Sequence, residues 1–391
     1  MEKNINSRYV KTLKILLVIF VCGIALSYCL YCSENFGKYS EYYGPDEGHY
    51  IEMAKRIINE KTYGYWGEES DAYVSPGYPM FLVMCMKIFG QGVQGIHYIK
   101  IVQGVLFSLT VLLVYYLAQL LFKSYFIGIV ASFLIAINGA YAYYSHCLLT
   151  ETLYYFTMMV FAVVFVAANQ KDKKRWHFLA GITFAITIMV RPLILIITPV
   201  MYIPLILKEW GHWKKILQTI SCFVIGFVLI CMPWWIRNIV VMDELILLAT
   251  QTNPIYAGLA PDITALGIED PGSMSGNIKL LIQLLLEHPL KTIYWMTIGK
   301  FEIFFLQPGY STNLRAVTDM IVDIVVYFGF AGSIIMLWDK RKRWISIIFL
   351  TYLAGSFLFI PTQRYSLQYL PFLSIFACFL IVRIFACKKC K

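Results

Sequence analysis

A series of apolar segments, each close to the length of a membrane span, limits what this chain can fold into. The 391 residues are 59% hydrophobic and 14% charged. Soluble domains contain about 45–50% apolar residues and about 25% charged residues. A helix needs roughly 20 apolar residues to cross the hydrocarbon core of a bilayer. We therefore expect an all-α, polytopic integral membrane protein.

About ten spanning helices are predicted, in a single membrane domain over residues 1–391. The first span, at about 12–32, follows several basic residues and has no small-x-small cleavage site, so we expect it to be retained. An apolar run ending at Phe89 is too short to span and is expected to be re-entrant or interfacial. The other spans are predicted at 98–121, 125–144, 147–169, 177–190, 193–208, 216–236, 317–338, 345–361 and 366–386.

The distribution of charge predicts how these spans are oriented. If the N-terminus is cytoplasmic, the inside segments carry most of the 33 Lys and Arg residues and few of the 23 acidic residues. This pattern predicts a multi-pass protein of the cell membrane with both termini in the cytoplasm. It also accounts for the sequence pI of about 9.0 without a nucleic-acid partner.

Two polar segments are expected on the other side of the membrane. Residues 33–97 are predicted to form the first extracytoplasmic loop, and residues 237–315 a long extracytoplasmic or interfacial segment. The second segment contains an amphipathic patch from Ile278 to Leu286. Acceptor specificity is expected between Gln251 and Ser275.

The cysteines and histidines do not indicate a metal centre. Most of the ten cysteines lie in or at the ends of apolar spans, and the long polar loops contain none, so no disulfide framework is suggested. Cys387 and Cys390 form a pair without a second pair, which does not favour a zinc site. We therefore expect no required cofactor, and leave open whether a divalent cation binds.

The stretch Tyr43-Gly-Pro-Asp-Glu-Gly-His-Tyr-Ile-Glu-Met-Ala-Lys55 holds two adjacent acids at the start of a predicted helix. Pro45 is expected to end the preceding segment, and Asp46 suits a helix N-cap, where its side-chain oxygen would accept backbone N–H bonds. Apolar residues then recur at helical spacing, which predicts a helix lying on the membrane surface with Asp46 and Glu47 at its N-terminal end. The alternative is that the two acids only begin a helix and favour its dipole.

The predicted topology brings ionisable groups from five connections to one face of the membrane. A charge in the bilayer interior costs about 2.5–3.5 kcal/mol on insertion scales, and such residues usually serve a pathway or a site. Acids and arginines together would suit a reaction that needs a base and an anion clamp. The arginines could instead be interfacial anchors or ion-pair partners. His146 could be a hydrogen-bonded packing residue, and Glu151 could cap a helix. The residues are Asp46, Glu47, His49, His146, Glu151, Arg191, Arg237 and Arg364.

Several of these positions lie in motifs that resemble a known family. The chain is similar to the GT-C glycosyltransferases of the protein O-mannosyltransferase and aminoarabinose-transferase type, and the similarity runs over most of the chain in matching order. The matching stretches are Pro45-Asp-Glu-Gly-His-Tyr-Ile-Glu52, Ser75-Pro-Gly-Tyr-Pro-Met-Phe-Leu82, Leu149-Thr-Glu-Thr-Leu153, Pro233-Trp-Trp-Ile-Arg-Asn238 and Arg364-Tyr-Ser-Leu-Gln-Tyr-Leu-Pro371.

The resemblance implies a GT-C bundle of about ten transmembrane helices with extracytoplasmic interfacial helices. It implies a polyprenyl-phosphate sugar donor, used on the extracytoplasmic face with inversion, and an acceptor glycan, lipid or protein. By position in the motif Asp46 would be the general base, with Glu47 beside it. The donor phosphate would be held by Arg237, Arg364 and Arg191, and substrate would contact His49, Glu151, His146 and Tyr256.

Two departures from the family and two other functions bear on this interpretation. The aminoarabinose enzymes carry a Glu-Lys pair where this chain has Val74-Ser75, and the Trp-Trp-Asp-Tyr-Gly motif of oligosaccharyltransferases is absent, so an oligosaccharide donor is not expected. The alternative function is a transporter or lipid flippase, although the sequence shows no internal repeat of the kind that transporters often have. A third possibility is a non-catalytic membrane scaffold.

Overall fold

The structure, a computed structural model, describes residues 2–35, 45–171, 173–263, 266–306 and 315–388. It is all-helical, with 79% helix and no strand in these ranges. Three stretches that the sequence predictions mention lie outside the described residues: residues 36–44, which follow the first span, residues 307–314, and Cys390. The prediction of an all-α membrane protein is confirmed.

The first eight helices, up to residue 190, include the elements that carry Asp46, Glu47, His146 and Glu151. They are α1 Glu2–Asn35, α2 Pro45–Asn59, α3 Gly77–Phe89, α4 Val93–Phe122, α5 Tyr125–Ala136, α6 Gly139–His146, α7 Thr150–Lys171 and α8 Lys174–Val190.

The remaining chain contains long helices separated by short ones. A 3-10 turn, Pro192–Ile197, leads to the next elements, and π-helical turns at Trp295–Gly299 and Glu302–Leu306 interrupt the later part. A further 3-10 turn at Leu367–Tyr369 leads into the last helix. The helices are α9 Thr198–Met201, α10 Ile203–Lys208, α11 Trp213–Met242, α12 Asn253–Tyr256, α13 Met274–Glu287, α14 Pro289–Tyr294, α15 Arg315–Met336, α16 Arg343–Ser356, α17 Gln363–Ser366 and α18 Leu370–Lys388.

The predicted number of ten spans is not confirmed. Among the described residues, five helices are long and apolar enough to cross a membrane, or six if the bent pair α5 and α6 forms one span. The segment predicted to span at 193–208 is divided instead into a 3-10 turn and two short helices, because Pro192, Pro199 and Pro204 each begin a new element. The segments predicted at 177–190 and 345–361 form α8, with 17 residues, and α16, with 14 residues.

The helix pair α5 and α6 was predicted as a single span, but its axes differ by 56°. Asn138 lies at the bend, where its side-chain oxygen accepts hydrogen bonds from the backbone N–H groups of Ala140 and Tyr141 at 3.0 and 3.3 Å. This N-cap begins a new helix and satisfies two backbone donors that the bend would otherwise leave without partners.

Two glycines allow a close contact between α8 and α11. Where α8 crosses α11, a Cβ atom built on Gly181 would lie 2.0 Å from the carbonyl oxygen of Phe223. A Cβ atom on Gly226 would likewise lie 2.2 Å from the carbonyl oxygen of Phe178. Only glycine lets the two backbones approach this closely, as is common where helices pack in membranes.

Four helix ends form one side of the bundle. α2 begins at Pro45, so that Asp46, predicted as the N-cap, lies inside its first turn together with Glu47. α7 begins at Thr150, with Glu151 in its first turn. α8 ends at Val190, one residue before Arg191, and α17 contains Arg364. The basic segments around Lys171 and Lys215 lie at the opposite ends of their helices, about 30 Å away for a helix the length of α7.

Candidate active site

Two acids and two arginines from four separate elements make a continuous chain of ion pairs. Nη2 of Arg364 lies 3.3 Å from Oδ2 of Asp46, and its Nε lies 3.6 Å from Oε1 of Glu151. The same Glu151 oxygen accepts a hydrogen bond from Nη2 of Arg191 at 2.6 Å. Asp46 and Arg364 are 318 positions apart in the sequence. The structure therefore brings together Asp46, Glu151, Arg191 and Arg364, four of the predicted site residues.

The inner pair of this chain is buried and rigidly held. The side chain of Glu151 is 1% exposed and that of Arg191 is 17% exposed. Nε of Arg191 also donates to Oγ1 of Thr150 at 2.6 Å, and the rings of Tyr365 and Tyr154 lie 4.8 and 5.7 Å from its guanidinium carbon. Arg191 adopts an extended backbone conformation, as residues before proline usually do, and this ends α8 at the point where the side chain meets Glu151.

The outer pair is more open. The side chain of Asp46 is 54% exposed and that of Arg364 is 27% exposed. The backbone carbonyl of Arg364 accepts a hydrogen bond from the Tyr155 hydroxyl at 2.9 Å, which fixes α17 to α7. Its contacts with the two acids, at 3.3 and 3.6 Å, are longer than the 2.7–2.9 Å typical of charge-assisted hydrogen bonds. Because a guanidinium has five N–H donors, Arg364 can also bind an added anion.

Glu47 points to a different neighbour from Asp46. Its Oε1 accepts a hydrogen bond from the backbone N–H of Leu148 at 2.6 Å. In the same turn, Nε2 of His146 lies 3.4 Å from Nζ of Lys100, a buried lysine of α4. Glu47 therefore contacts the turn that follows α6, and this turn comes directly after His146. Sequence reasoning missed Lys100, although a single cation inside a long apolar span was the signal that could have identified it.

His49, one turn after Asp46 on α2, belongs to a group of aromatic rings. Its ring centroid lies 5.1 Å from that of Tyr65 and 5.0 Å from that of Trp66. Tyr73 lies 5.2 Å from each of the same two rings. Burial raises the pKa of Tyr65 to about 12, and the negative charge of Asp46 contributes to the shift. The Tyr65 phenol therefore stays protonated near neutral pH.

Arg237 binds the backbone of this aromatic loop. Its Nη1 donates to the carbonyl of Asp71 at 2.7 Å, and its Nη2 to the carbonyl of Tyr63 at 3.2 Å. The guanidinium also lies 5.0 Å from the centroid of the Tyr63 ring. These contacts place Arg237 behind the loop, and the chain of ion pairs does not include it. Its predicted contact with the donor phosphate stays a prediction.

Tyr256, the last of the predicted site residues, lies in a different apolar cluster. It is buried in a second, smaller apolar cluster with Leu259, Ile263 and Leu284, and its hydroxyl donates to the carbonyl of Ile268. Its predicted contact with substrate also stays a prediction.

Comparison with known proteins gives a family match and a fold. Residues 73–236 match the model of a family described as dolichyl-phosphate-mannose-protein mannosyltransferase. The archaeal oligosaccharyltransferase AglB from Archaeoglobus fulgidus, solved with an inhibitory peptide and a dolichol-phosphate, superposes with a TM-score of 0.61 at 15% identity. The superposition covers 97% of this chain and 51% of that chain. The chain has the GT-C fold.

A second GT-C structure also superposes on the chain. ArnT from Cupriavidus metallidurans, solved with undecaprenyl phosphate, gives a TM-score of 0.50 at 14% identity, over 95% of this chain and 60% of that chain. The chain thus spans less than two thirds of the length of either solved GT-C protein. No curated protein sequence matches it.

The residues that the family model matches include only part of the chain of ion pairs. Glu151 and Arg191 lie inside residues 73–236, whereas Asp46 and Arg364 lie outside. The pairing of Asp46 with Arg364 therefore rests on the geometry of this structure. Within the ranges that the structure describes, no three His, Cys, Asp or Glu side chains are grouped so that they could hold a metal ion.

Proposed function

We propose that the chain is a membrane glycosyltransferase that transfers a sugar from a polyprenyl-phosphate donor to an acceptor hydroxyl at Asp46. One observation carries the proposal. A solvent-accessible carboxylate on α2 lies 3.3 Å from an arginine on α17, and that arginine in turn contacts a buried acid–arginine pair. The GT-C fold and the family match over residues 73–236 support the reaction class.

Asp46 is suited to act as the general base. It lies in the first turn of α2 and is more than half exposed, so an acceptor hydroxyl can approach it. Removal of the hydroxyl proton strengthens the oxygen nucleophile that attacks the anomeric carbon, while the bond from that carbon to the phosphate oxygen breaks. A positioned carboxylate contributes about 10²–10⁴-fold to the rate of such a step.

Arg364 is suited to hold the departing phosphate. Its contacts with Asp46, Glu151 and the Tyr365 hydroxyl, at 3.3, 3.6 and 3.3 Å, leave N–H groups that can donate to phosphate oxygens, and it lies between Asp46 and Glu151. Arg191 has a shorter bond to Glu151, at 2.6 Å, so in this proposal it mainly fixes Glu151 and adds positive charge. Preorganised cations of this kind stabilise charge that develops on the leaving group.

The donor and the orientation of the protein are part of the same proposal. The solved GT-C relatives hold dolichol-phosphate and undecaprenyl phosphate, which favours a polyprenyl-phosphate sugar as donor. The basic ends of the helices point away from the Asp46 side, which favours cytoplasmic termini, an extracytoplasmic site and extracytoplasmic 33–97 and 237–315 segments. We propose that no metal is required.

Release of polyprenyl phosphate tests the function. Purified protein in detergent is incubated with polyprenyl-phosphate hexoses and pentoses that carry a radiolabelled sugar, with a membrane extract as acceptor source. We expect turnover that is insensitive to EDTA and that falls by about 10²–10⁴-fold in Asp46→Asn. The matched control is Glu52→Gln on the same helix, where an exposed acid pairs with Lys55 at 2.8 Å. Full turnover in Asp46→Asn, or lipid translocation without turnover, would contradict the proposal.

The phosphate contact is tested separately. Arg364→Gln should raise the KM for the lipid donor and lower kcat, because the phosphate loses hydrogen bonds in both the bound state and the transition state. Arg364→Lys should recover only part of the activity, since an ammonium cannot reproduce the planar donor geometry of a guanidinium. If Arg364→Gln leaves the donor KM unchanged, Arg364 does not bind the phosphate.

A further inference from the structure

Four rings form an aromatic cluster beside Asp46 that the proposed reaction does not use. We call His49, Tyr65, Trp66 and Tyr73 the ring cluster. Tyr65 is 6% exposed and lies at its centre, within 5.0–5.2 Å of the other three ring centroids. Trp66 is 63% exposed. The cluster therefore presents a largely open indole supported from beneath by a buried phenol.

The loop that carries these rings is fixed by its own backbone contacts. The carboxylate of Asp71 accepts hydrogen bonds from the backbone N–H groups of Tyr65 at 2.7 Å and Tyr73 at 3.0 Å. Arg237 holds the carbonyls of Asp71 and Tyr63 from behind. The loop also closes so tightly at Gly64 that an added Cβ atom would lie 2.2 Å from a carbonyl oxygen. An open indole on a fixed loop loses little conformational entropy when a ligand binds.

The charges around Trp66 argue against a role in anchoring the protein to lipid headgroups. The next residues, Gly67, Glu68 and Glu69, are exposed, and two of them are acidic. Membrane-surface anchors usually combine aromatic residues with lysine or arginine, because lipid surfaces are anionic. A cation that contacts this loop, Arg56 of α2, donates to the backbone carbonyls of Gly67 and Tyr65. The two glutamates beside the indole would oppose binding to an anionic surface, whereas a neutral ligand meets no such repulsion.

The polar groups at the edge of the cluster complete the argument for its ligand. The hydroxyl of Tyr73 lies 3.3 Å from Oδ1 of Asn253, and Asp46 lies one helical turn from His49. A sugar ring has an apolar C–H face and a rim of hydroxyl groups. Aromatic rings match the face, and the amide and acidic groups match the rim.

We propose that the ring cluster binds a saccharide ring and holds it so that a hydroxyl or the anomeric carbon lies beside Asp46. The inference deepens the proposed function and rests on it. The sugar belongs either to the acceptor, which would then be a glycan or glycolipid, or to the donor. Both sources share the same ring chemistry, and the second experiment below distinguishes them.

The first experiment measures sugar binding without any donor. Saturation-transfer NMR of the purified full-length protein with methyl mannoside, methyl glucoside and N-acetylglucosamine should show transfer to ring protons of at least one probe. We expect Trp66→Ala and Tyr73→Ala to weaken its binding by about threefold to tenfold, and Trp66→Phe to recover part of it. The matched control is Trp210→Ala, an equally open tryptophan (66% exposed) whose ring lies 5.2 Å from that of Trp213.

Two results would overturn the proposal. One is the absence of transfer to every probe in the unsubstituted protein, and the other is unchanged binding in both Trp66→Ala and Tyr73→Ala. If Trp66 were a membrane anchor, Trp66→Ala and Trp210→Ala would lower thermal stability alike and neither would alter sugar binding. Because no donor is present, this assay reads the ring cluster even if the chain proves not to turn over a polyprenyl-phosphate sugar.

The second experiment identifies the source of the sugar. Tritium-labelled polyprenyl-phosphate mannose is supplied with and without the membrane extract, and the other labelled donors replace it if it is not used. A Trp66→Ala protein that hydrolyses donor at the normal rate but transfers less sugar to the extract shows that the ring comes from the acceptor. A raised KM for donor in hydrolysis shows that the ring comes from the donor. If neither rate changes, the ring cluster does not bind a reacting sugar.

Discussion

Replacing Glu151 with glutamine tests whether the buried ion pair holds the site together. The change keeps the shape of the side chain but removes the charge that Arg191 contacts at 2.6 Å. Since the Glu151 side chain is 1% exposed and that of Arg191 is 17% exposed, water cannot fully replace the lost partner. Breaking a buried pair by removing one charge costs about 3–5 kcal/mol. We expect Glu151→Gln to lower the free energy of unfolding by an amount in this range.

The measurement is a denaturant titration of the purified protein in detergent, followed by circular dichroism. Arg191→Gln alone should also be destabilising, because the buried Glu151 loses its 2.6 Å partner and keeps only the longer contact with Arg364 at 3.6 Å. The double variant should lose less than the sum of the two single losses, with a coupling energy of roughly 2–3 kcal/mol. The control is Glu52→Gln, which removes an exposed pair with Lys55 and should cost at most about 1 kcal/mol. If Glu151→Gln is no more destabilising than Glu52→Gln, the reasoning is refuted.

Three further outcomes follow from other parts of the structure. Arg237→Ala removes the donors to the carbonyls of Asp71 and Tyr63. The rate of amide hydrogen exchange in residues 63–73 should rise, since a hydrogen bond to a charged group contributes about 1.5–3 kcal/mol. Unchanged protection of these amides would contradict the role of Arg237. Lys300 is fully buried, and burial lowers its pKa to about 7. The unfolded chain therefore binds more protons above that pH, so stability should rise from pH 7 towards the usual lysine range by at most about 1.4 kcal/mol per unit, and melting curves of Lys300→Met should lack this rise. Gly181→Ala would bring a Cβ atom against the Phe223 carbonyl on α11 and should lower the free energy of unfolding by about 1–3 kcal/mol. In the control, Gly23→Ala, the added Cβ atom meets no atom within 4 Å, so this variant should be as stable as the unsubstituted protein or more stable in the same melting assay.

Local sequence signals predicted the elements of the site well. Proline and aspartate at the start of a helical periodicity placed the beginning of α2 close to Pro45, although Asp46, predicted as the N-cap, lies inside the first turn with Glu47. Pro192 after Arg191 correctly marked the end of α8. These features depend on backbone dihedral restrictions and on capping, which act within a few residues and can therefore be read from the sequence.

The span count could not be read in the same way. Apolar composition gives the same signal for a straight span as for a broken one, and the segment 193–208, which follows Pro192, contains two more prolines, Pro199 and Pro204, where it is divided. The bend at Asn138 likewise interrupts a continuous apolar stretch. A hydropathy pattern counts apolar residues, whereas a span also requires an unbroken run of backbone hydrogen bonds.

Arg237 shows where pattern recognition of site residues stops. Its motif, Pro233-Trp-Trp-Ile-Arg-Asn238, predicted a cation at the outer membrane face. In the folded chain its guanidinium turns to the carbonyls of Asp71 and Tyr63. Nothing in the motif specifies that partner, because the 63–71 loop meets Arg237 through tertiary packing, in which α8 contacts both α3 and α11.

By itself the sequence determined that the chain is a helical membrane protein and that acids and arginines gather at one set of helix ends, since both follow from hydropathy, charge bias and local capping. Tertiary structure alone decided which charges meet. Asp46 contacts Arg364 across 318 positions, and Glu151 takes Arg191 as its close partner. Such pairings depend on how helices pack and on where low-dielectric burial makes an unpaired charge unfavourable, and neither is encoded in any short stretch of residues.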